Sequence, residues 1–284
     1  MTNLFFSSVV AFMLFFPAVY AQIPELGIAS SLVSDSVIYS SGYRYIGESV
    51  SRMVSPNLSE QQFAANIELV KKAKCKVYMC NVFFPADLKI VGENVEEAKV
   101  LNYAETVFKR AQILGVPAIV LGSGGARKLE EGQDRAKAKK DFIALGRKMA
   151  ALARQYGVKI FLENLNSGET NFINTVKEGA DIVRQINHPN FKLNADIYHM
   201  LKEGELSQSI LDAADVIEYV ELAEKEGRTR PGVSQEDFVP YFKALCEIGY
   251  QGKIFIEGRW SNLSSEASLA KNYIEAQLKE AYIK

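Results

Sequence analysis

The sequence predicts an α/β fold, a single-domain (β/α)8 TIM barrel, on three observations. Short apolar runs of β-forming type alternate along the chain with helix-period stretches of roughly ten to twenty residues. A helical crossover returns the chain to the same end of a sheet, so this alternation forces parallel pairing. Residues 22–284 hold eight such runs and match the roughly 250 residues of one barrel. An open doubly wound sheet is the competing architecture, but no G-x-G-x-x-G or Walker lysine motif follows the first run. No Pro/Gly/Ser-rich linker and no charge block divides the chain into two domains.

Residues 1–21, MTNLFFSSVVAFMLFFPAVYA, precede the first unit and are almost wholly apolar. They read as a secretory signal peptide cut after Ala21, with Val19 and Ala21 as the small residues at the cleavage position. The segment lacks the usual Lys or Arg ahead of its apolar run, and a retained membrane anchor is the alternative. Pro17 and the processing-like VYA favour removal. Gln22 rather than Cys would follow the cut, so a lipidated N-terminus is not indicated. The expectation is an exported protein, periplasmic or secreted, with no membrane attachment after cleavage.

The predicted strands follow in order as LGIASSL (26–32), YRYIGESV (43–50), KVYMCNVFF (76–84), AIVLGS (118–123), KIFLEN (159–164), FKLNAD (191–196), IEYVEL (217–222) and KIFIEG (253–258). Amphipathic stretches predict helices between most of them: SEQQFAANIELVKKAK, VEEAKVLNYAETVFKRAQIL, RAKAKKDFIALGRKMAALARQY, FINTVKEGADIVRQI, QEDFVPYFKALCEI and EASLAKNYIEAQLKEAY. The link between the first two strands and the segment around SQSILDAAD are short and carry no clear period.

With 48% hydrophobic and 24% charged residues, the chain has enough apolar side chains for a large core, which excludes a disordered class. The 33 basic and 34 acidic residues leave a net charge of −1, and no basic block alternates with aromatics, so nucleic acid is not an expected partner. Three cysteines, Cys75, Cys80 and Cys246, are an odd number for a disulfide scaffold and read as small hydrophobes.

Two strands with the apolar pattern of buried elements, KIFLEN and KIFIEG, end on a glutamate at the same step. In a parallel barrel the strand C-termini and the loops after them build the site. Glu163, Asp196, Glu221 and Glu257 all lie at such ends, on the last four strands. Side chains alternate along a strand, so Phe161 shares a face with Glu163, Asn194 with Asp196, Tyr219 with Glu221 and Phe255 with Glu257. If those faces point to the barrel axis, four carboxylates meet at one mouth. Like charges there raise one another's pKa, and a divalent cation is the simplest remedy. Pairing with Arg228, Arg230 or Arg259, or plain solvation, is the alternative for each carboxylate taken alone.

These same segments carry a family resemblance. FLENLN, LNADIYHM, GRTRPG and FIEG, in that order, with VLGSGGARK at the fourth strand, resemble the xylose isomerase-like TIM-barrel family of sugar phosphate isomerases and epimerases. The resemblance covers nearly all of residues 22–284. It implies metal ligands at Glu163, Asp196, Glu221 and Glu257, with Glu163 and Glu257 doubling as acid and base on opposite sides of a substrate. It further implies that His199 and Arg228 contact sugar oxygens and that Asn166, Glu48 and Arg127 line the pocket rim.

Where the family usually has His ahead of the GR…PG segment, this chain has Glu221. All-oxygen ligation favours Mg²⁺, Mn²⁺ or Ca²⁺ over zinc, with Mn²⁺ or Mg²⁺ the expected cofactor. The extra negative charge leaves three outcomes: a tightly held hard dication, one protonated carboxylate, or a lost metal with Glu221 as a general base. The family resembled is also related to a DNA-repair endonuclease with a trinuclear zinc centre, but only two histidines are present here, so that centre cannot be assembled. GSGGAR lacks a phosphate-binding lysine and reads as a tight turn after a strand, and His188 reads as a loop residue.

The implied chemistry is proton removal from a carbon beside a carbonyl. Redelivery to the opposite face is epimerisation, redelivery to the neighbouring carbon is isomerisation, and loss of a β-substituent is elimination, the reverse of hydration. Phosphorylated sugars are scarce outside the cytoplasm, so export favours a keto-sugar or 3-keto-glycoside as substrate. The alternative from another class is a secreted, non-catalytic sugar-binding barrel.

Overall fold

A computed structural model describes residues 22–283; the apolar segment 1–21 lies outside the described residues. The strands are β1 (Leu26–Ala29), β2 (Tyr45–Ser49), β3 (Lys76–Asn81), β4 (Ala118–Leu121), β5 (Lys159–Glu163), β6 (Phe191–Asp196), β7 (Ile217–Leu222) and β8 (Ile254–Ile256). They close in sequence order, every neighbour pair parallel, with β1 against β8 completing the barrel. The helices are α1 (Asp35–Ser40), α2 (Val50–Met53), α3 (Glu60–Lys72), α4 (Glu97–Leu114), α5 (Arg135–Gln155), α6 (Val176–Ile186), α7 (Ile197–Glu203), α8 (Gln208–Asp212), α9 (Val239–Glu247) and α10 (Leu263–Tyr282). The two segments without a clear period become a 3-10 turn with α1, and the α7–α8 pair.

Local chemistry sets the helix starts. Ser59 and Gln62 cap α3 reciprocally, Asp134 caps α5, and Thr175 begins α6 four residues inside the predicted stretch. Several strands end earlier than predicted because their last residues peel into the loops of the mouth. Ser31 accepts a bond from the Val33 N–H and opens a 3-10 turn, and Val82 turns left-handed at φ 55° directly after β3.

Two apolar layers result. Between strands and helices lies the larger core, which holds Ile28, Ile46, Cys80, Leu121, Leu162 and Ile256 among many others. Inside the barrel lie Met79, Ala118, Val120, Phe161, Tyr219 and Phe255, with Phe161 stacked on Tyr219 at 5.1 Å and 9°. This aromatic floor sits one side-chain step below Glu163, Glu221 and Glu257. Cys75 and Cys80 are buried thiols and Cys246 is half-buried, all three free. No described helix is long and apolar enough to cross a membrane.

The floor leaves no room at Gly27, where a Cβ would overlap the Phe255 ring. Phe255 is itself held by the Tyr78 and Tyr219 rings at 5.7 and 5.3 Å. Gly27→Ala should therefore destabilise the protein by about 1–3 kcal/mol, the usual result of overpacking. Urea unfolding checks this, and an unchanged midpoint would show that the floor can yield.

Candidate active site

Barrel register brings the four strand-end carboxylates together. Glu163 is paired with Asn194, and Asp196 with Glu221. Glu257 lies one residue beyond β8, yet its N–H still donates to the Leu222 carbonyl at 2.9 Å, so it stays in step with the others. One oxygen from each of Glu163, Asp196, Glu221 and Glu257 falls within 4.8 Å of all the rest. Glu163, Asp196 and Glu221 are buried and Glu257 is half-buried.

Each carboxylate is aimed by its neighbours. Asp196 spends Oδ1 on capping α7, accepting from the Tyr198 and His199 N–H groups at 2.8 and 3.3 Å. Its Oδ2 is buried without a partner. Glu221 accepts from the Asn194 amide at 2.5 Å and the Tyr219 hydroxyl at 3.2 Å. Glu257 accepts from the Asn81 amide at 2.5 Å and from Arg228, whose Nε also donates to the Glu257 carbonyl at 3.3 Å.

Arg228 is the cation that faces this group. It adopts a left-handed backbone at φ 52°, stacks on the Tyr198 ring at 4.6 Å, and reaches Glu169 Oε1 at 3.3 Å and Asp196 Oδ2 at 3.9 Å. Arginine pairing, the alternative raised by the sequence, is thus realised for Glu257, while Arg230 goes instead to Glu266 at 3.7 Å.

The charge balance appears in the titration. Burial, then Glu257, Glu163 and Asp196, hold Glu221 well above the usual carboxylate range, against the Asn194 bond. Burial pushes Glu257 up to about 7, Arg228 pulls it down, and Glu163 and Asp196 add to the rise. Burial disfavours charge on Arg228, but Glu257, Asp196, Glu163 and Glu169 outweigh it and raise its pKa.

His199 is fully buried beside these groups, with Nε2 3.4 Å from Glu163 and 3.6 Å from Asp196. Its Nδ1 accepts the Asn166 backbone N–H at 3.0 Å, which assigns the ring proton to Nε2. Burial lowers its pKa, but Asp196 and Glu163 more than compensate and raise it above the ordinary histidine value. His199 also falls within 4.8 Å of Glu163 and Asp196, but a ring in this tautomer donates through Nε2, which leaves the four carboxylates as the larger candidate donor set.

That donor set fits a divalent cation. It offers only oxygens, it crowds more negative charge than Arg228 offsets, and Asp196 Oδ2 is a buried acceptor that receives no hydrogen bond.

Of the three rim residues implied by the resemblance, one points away from the axis and two are buried in the loops beside the site. Glu48 faces away from the axis, because Gly47 takes the interior position against Met79; its carboxylate is held by Arg52 and the Ser49 N–H. Arg127 is fully buried, donates to the Leu121 carbonyl at 3.3 Å, and is pushed down to about 10 by burial, against the pull of Glu163, Glu169 and Glu178. Asn166 is buried and orients His199 from behind.

Asn81 and Glu169 were missed from sequence, and Asn194 and Tyr219, placed there on the carboxylates' faces, were given no role. Asn81 stands at the end of β3 on the interior face, where the same strand alternation could have found it. Glu169 sits in the irregular segment after β5, where no period points to it.

A family profile described as "Xylose isomerase-like TIM barrel" matches residues 37–279. A ketose 3-epimerase of Arthrobacter globiformis is 36% identical over 115 residues, 40% of this chain and 39% of that protein. An L-ribulose 3-epimerase of Methylomonas sp. (strain DH-1) is 37% identical over 116 residues, 40% of each. The matched part therefore spans about two fifths of these relatives' length. In fold, the chain is similar to a D-psicose 3-epimerase from Clostridium cellulolyticum H10 solved with D-tagatose: TM-score 0.77, 21% identity, 89% of this chain and 99% of that one.

Proposed function

Because this chain belongs to the xylose isomerase-like TIM-barrel family, we propose that it is a divalent-metal-dependent enzyme that moves a proton at a carbon beside the carbonyl of a keto-sugar. Epimerisation or isomerisation is the reading favoured by its epimerase relatives. The observation that carries it is the convergence of Glu163, Asp196, Glu221 and Glu257, from four successive strands, within 4.8 Å.

Bound by those four residues, a hard dication, Mn²⁺ or Mg²⁺, would polarise the substrate carbonyl and offset the charge that develops as the proton leaves. Glu257, half-buried at the mouth and held by Asn81 and Arg228, is one carboxylate that can carry the proton. Glu163, at the end of β5, faces the same centre from a different strand and is the second carboxylate assigned to proton transfer. Two proton carriers acting on opposite faces of one carbon invert it; one carrier serving two adjacent carbons shifts the carbonyl. His199 Nε2–H and the Arg228 guanidinium are donors that hold the sugar oxygens in place. Tyr219 and Phe255 close the barrel beneath and keep bulk water from entering below. If the substrate carries a leaving group β to the abstracted proton, as a 3-keto-glycoside does, the same step ends in elimination.

Metal analysis of purified protein should find a stoichiometric dication. Ketoses and 3-keto-glycosides incubated with the holoenzyme in D₂O should then gain deuterium at the carbon beside the carbonyl. Wild-type protein that catalyses no exchange on the panel, and binds sugars no differently from Glu163→Gln, would instead be a sugar-binding barrel. Export belongs to the same proposal, and N-terminal sequencing of the mature protein should begin at Gln22.

A further inference from the structure

Glu224 is a fully buried carboxylate three residues beyond Glu221, outside the group at the mouth. Four donors close on it. The Gly232 and Glu236 N–H groups reach Oε1 at 2.7 and 3.4 Å, and the Ser234 N–H and Thr229 hydroxyl reach Oε2 at 2.5 and 3.0 Å. Its own N–H donates to the Thr229 carbonyl at 3.0 Å. A buried charge is costly unless donors surround it, so these bonds favour the arrangement that the segment after β7 adopts.

That arrangement sets Arg228. The Arg228 carbonyl accepts the Arg259 N–H at 2.7 Å, and the Arg230 N–H donates to the Arg259 carbonyl at 3.2 Å. Gly258 permits the contact, because a Cβ there would sit 2.8 Å from the Arg230 Cα. The segment is thus docked backbone to backbone on the residues that follow Glu257, and its guanidinium spans Glu257 and Glu169.

We propose that Glu224 is a positioning residue for the reaction: it holds the segment after β7 in the conformation from which Arg228 reaches Glu257 and Glu169. The consequence for turnover rests on the enzymatic reading above, whereas the claim about the segment does not.

The test compares wild type with Glu224→Gln, which keeps the shape but turns an NH₂ toward N–H donors. Amide hydrogen exchange at Gly232, Ser234 and Glu236 should speed up about tenfold or more, with the barrel strands unchanged. Trp260, the only tryptophan, follows Arg259 and should shift its emission as the docking loosens. On a ketose that the wild type turns over, KM should rise about tenfold. In an Arg228→Ala background the same substitution should then add little.

Unchanged amide protection, or effects of Glu224→Gln and Arg228→Ala that multiply, would overturn the proposal. A panel on which wild type turns over nothing removes the enzymatic reading, and the exchange and fluorescence results still decide the role of Glu224. If Glu224→Gln does not fold, Thr229→Val, which deletes one donor, should show the same amide pattern at smaller size; no change there also overturns it.

Discussion

Glu257→Gln should lower the rate of proton exchange by about 10²–10⁴-fold, the usual contribution of a positioned general acid or base. The substitution keeps the side-chain volume and removes the oxygen that takes the proton. It also alters an oxygen that meets the Asn81 amide at 2.5 Å and one held by Arg228, so sugar affinity should weaken as well. A carboxyl at this place can accept the proton and return it, and glutamine can do neither. Glu163→Gln should fall in the same range. Single-turnover exchange rates, with circular dichroism to show that the barrel persists, measure both. A Glu257→Gln rate within about threefold of wild type would exclude Glu257 as a proton carrier.

The second large effect is on stability, and its sign follows from where the proton sits. An unperturbed glutamate titrates near about 4.3, and in the metal-free fold Glu257 titrates at about 7. Across that interval the folded chain holds a proton that the unfolded chain has released, so stability falls as pH rises through it. The loss attributable to Glu257 is on the order of 3 kcal/mol, complete above its folded pKa. Glu221, raised further by burial and the other carboxylates, extends the decline upward.

A dication reverses the slope, since it holds the ionised forms that the metal-free fold disfavours. At 100 times its Kd it adds about 2.7 kcal/mol. Thermal unfolding at pH 5, 6, 7 and 8, with EDTA or Mn²⁺, should show a melting temperature that falls with pH in EDTA and a Mn²⁺ gain that grows with pH. Glu221→Gln should flatten the EDTA series and shrink the Mn²⁺ gain. A gain independent of pH would show that the cation does not sit among these carboxylates.

How far the sequence reached differs from residue to residue. Glu163, Asp196, Glu221 and Glu257 were legible because each closes an apolar run, and strand alternation places it two positions from a residue of the barrel interior. Glu48 also closes such a run, in YRYIGESV, yet it faces the helices. Alternation sorts Tyr45, Gly47 and Ser49 from Ile46 and Glu48, but not which set meets the axis. Tertiary packing settled that phase: β2 shifts register against β3 between Ile46 and Gly47, and Gly47 takes the interior position against the end of the Met79 side chain.

Arg127 and Asn166 show a second limit. Both are near the site along the chain, but their loops bury them, one against the Leu121 carbonyl and one behind His199. Glu169 and Glu224 show a third. They stand in irregular segments whose course is dictated by hydrogen bonds to residues many positions away, so no period marks them.

By itself the sequence determined the eight strand–helix units, the parallel barrel and the carboxylates at four strand ends, because these depend on patterns only two to four residues long. The tertiary structure alone decided that Arg228 meets Glu257, that His199 Nε2 faces Glu163 and Asp196, and that Glu224 is buried among donors of the segment after β7. Those outcomes depend on contacts between loops, and loops have no repeating geometry for a sequence pattern to record.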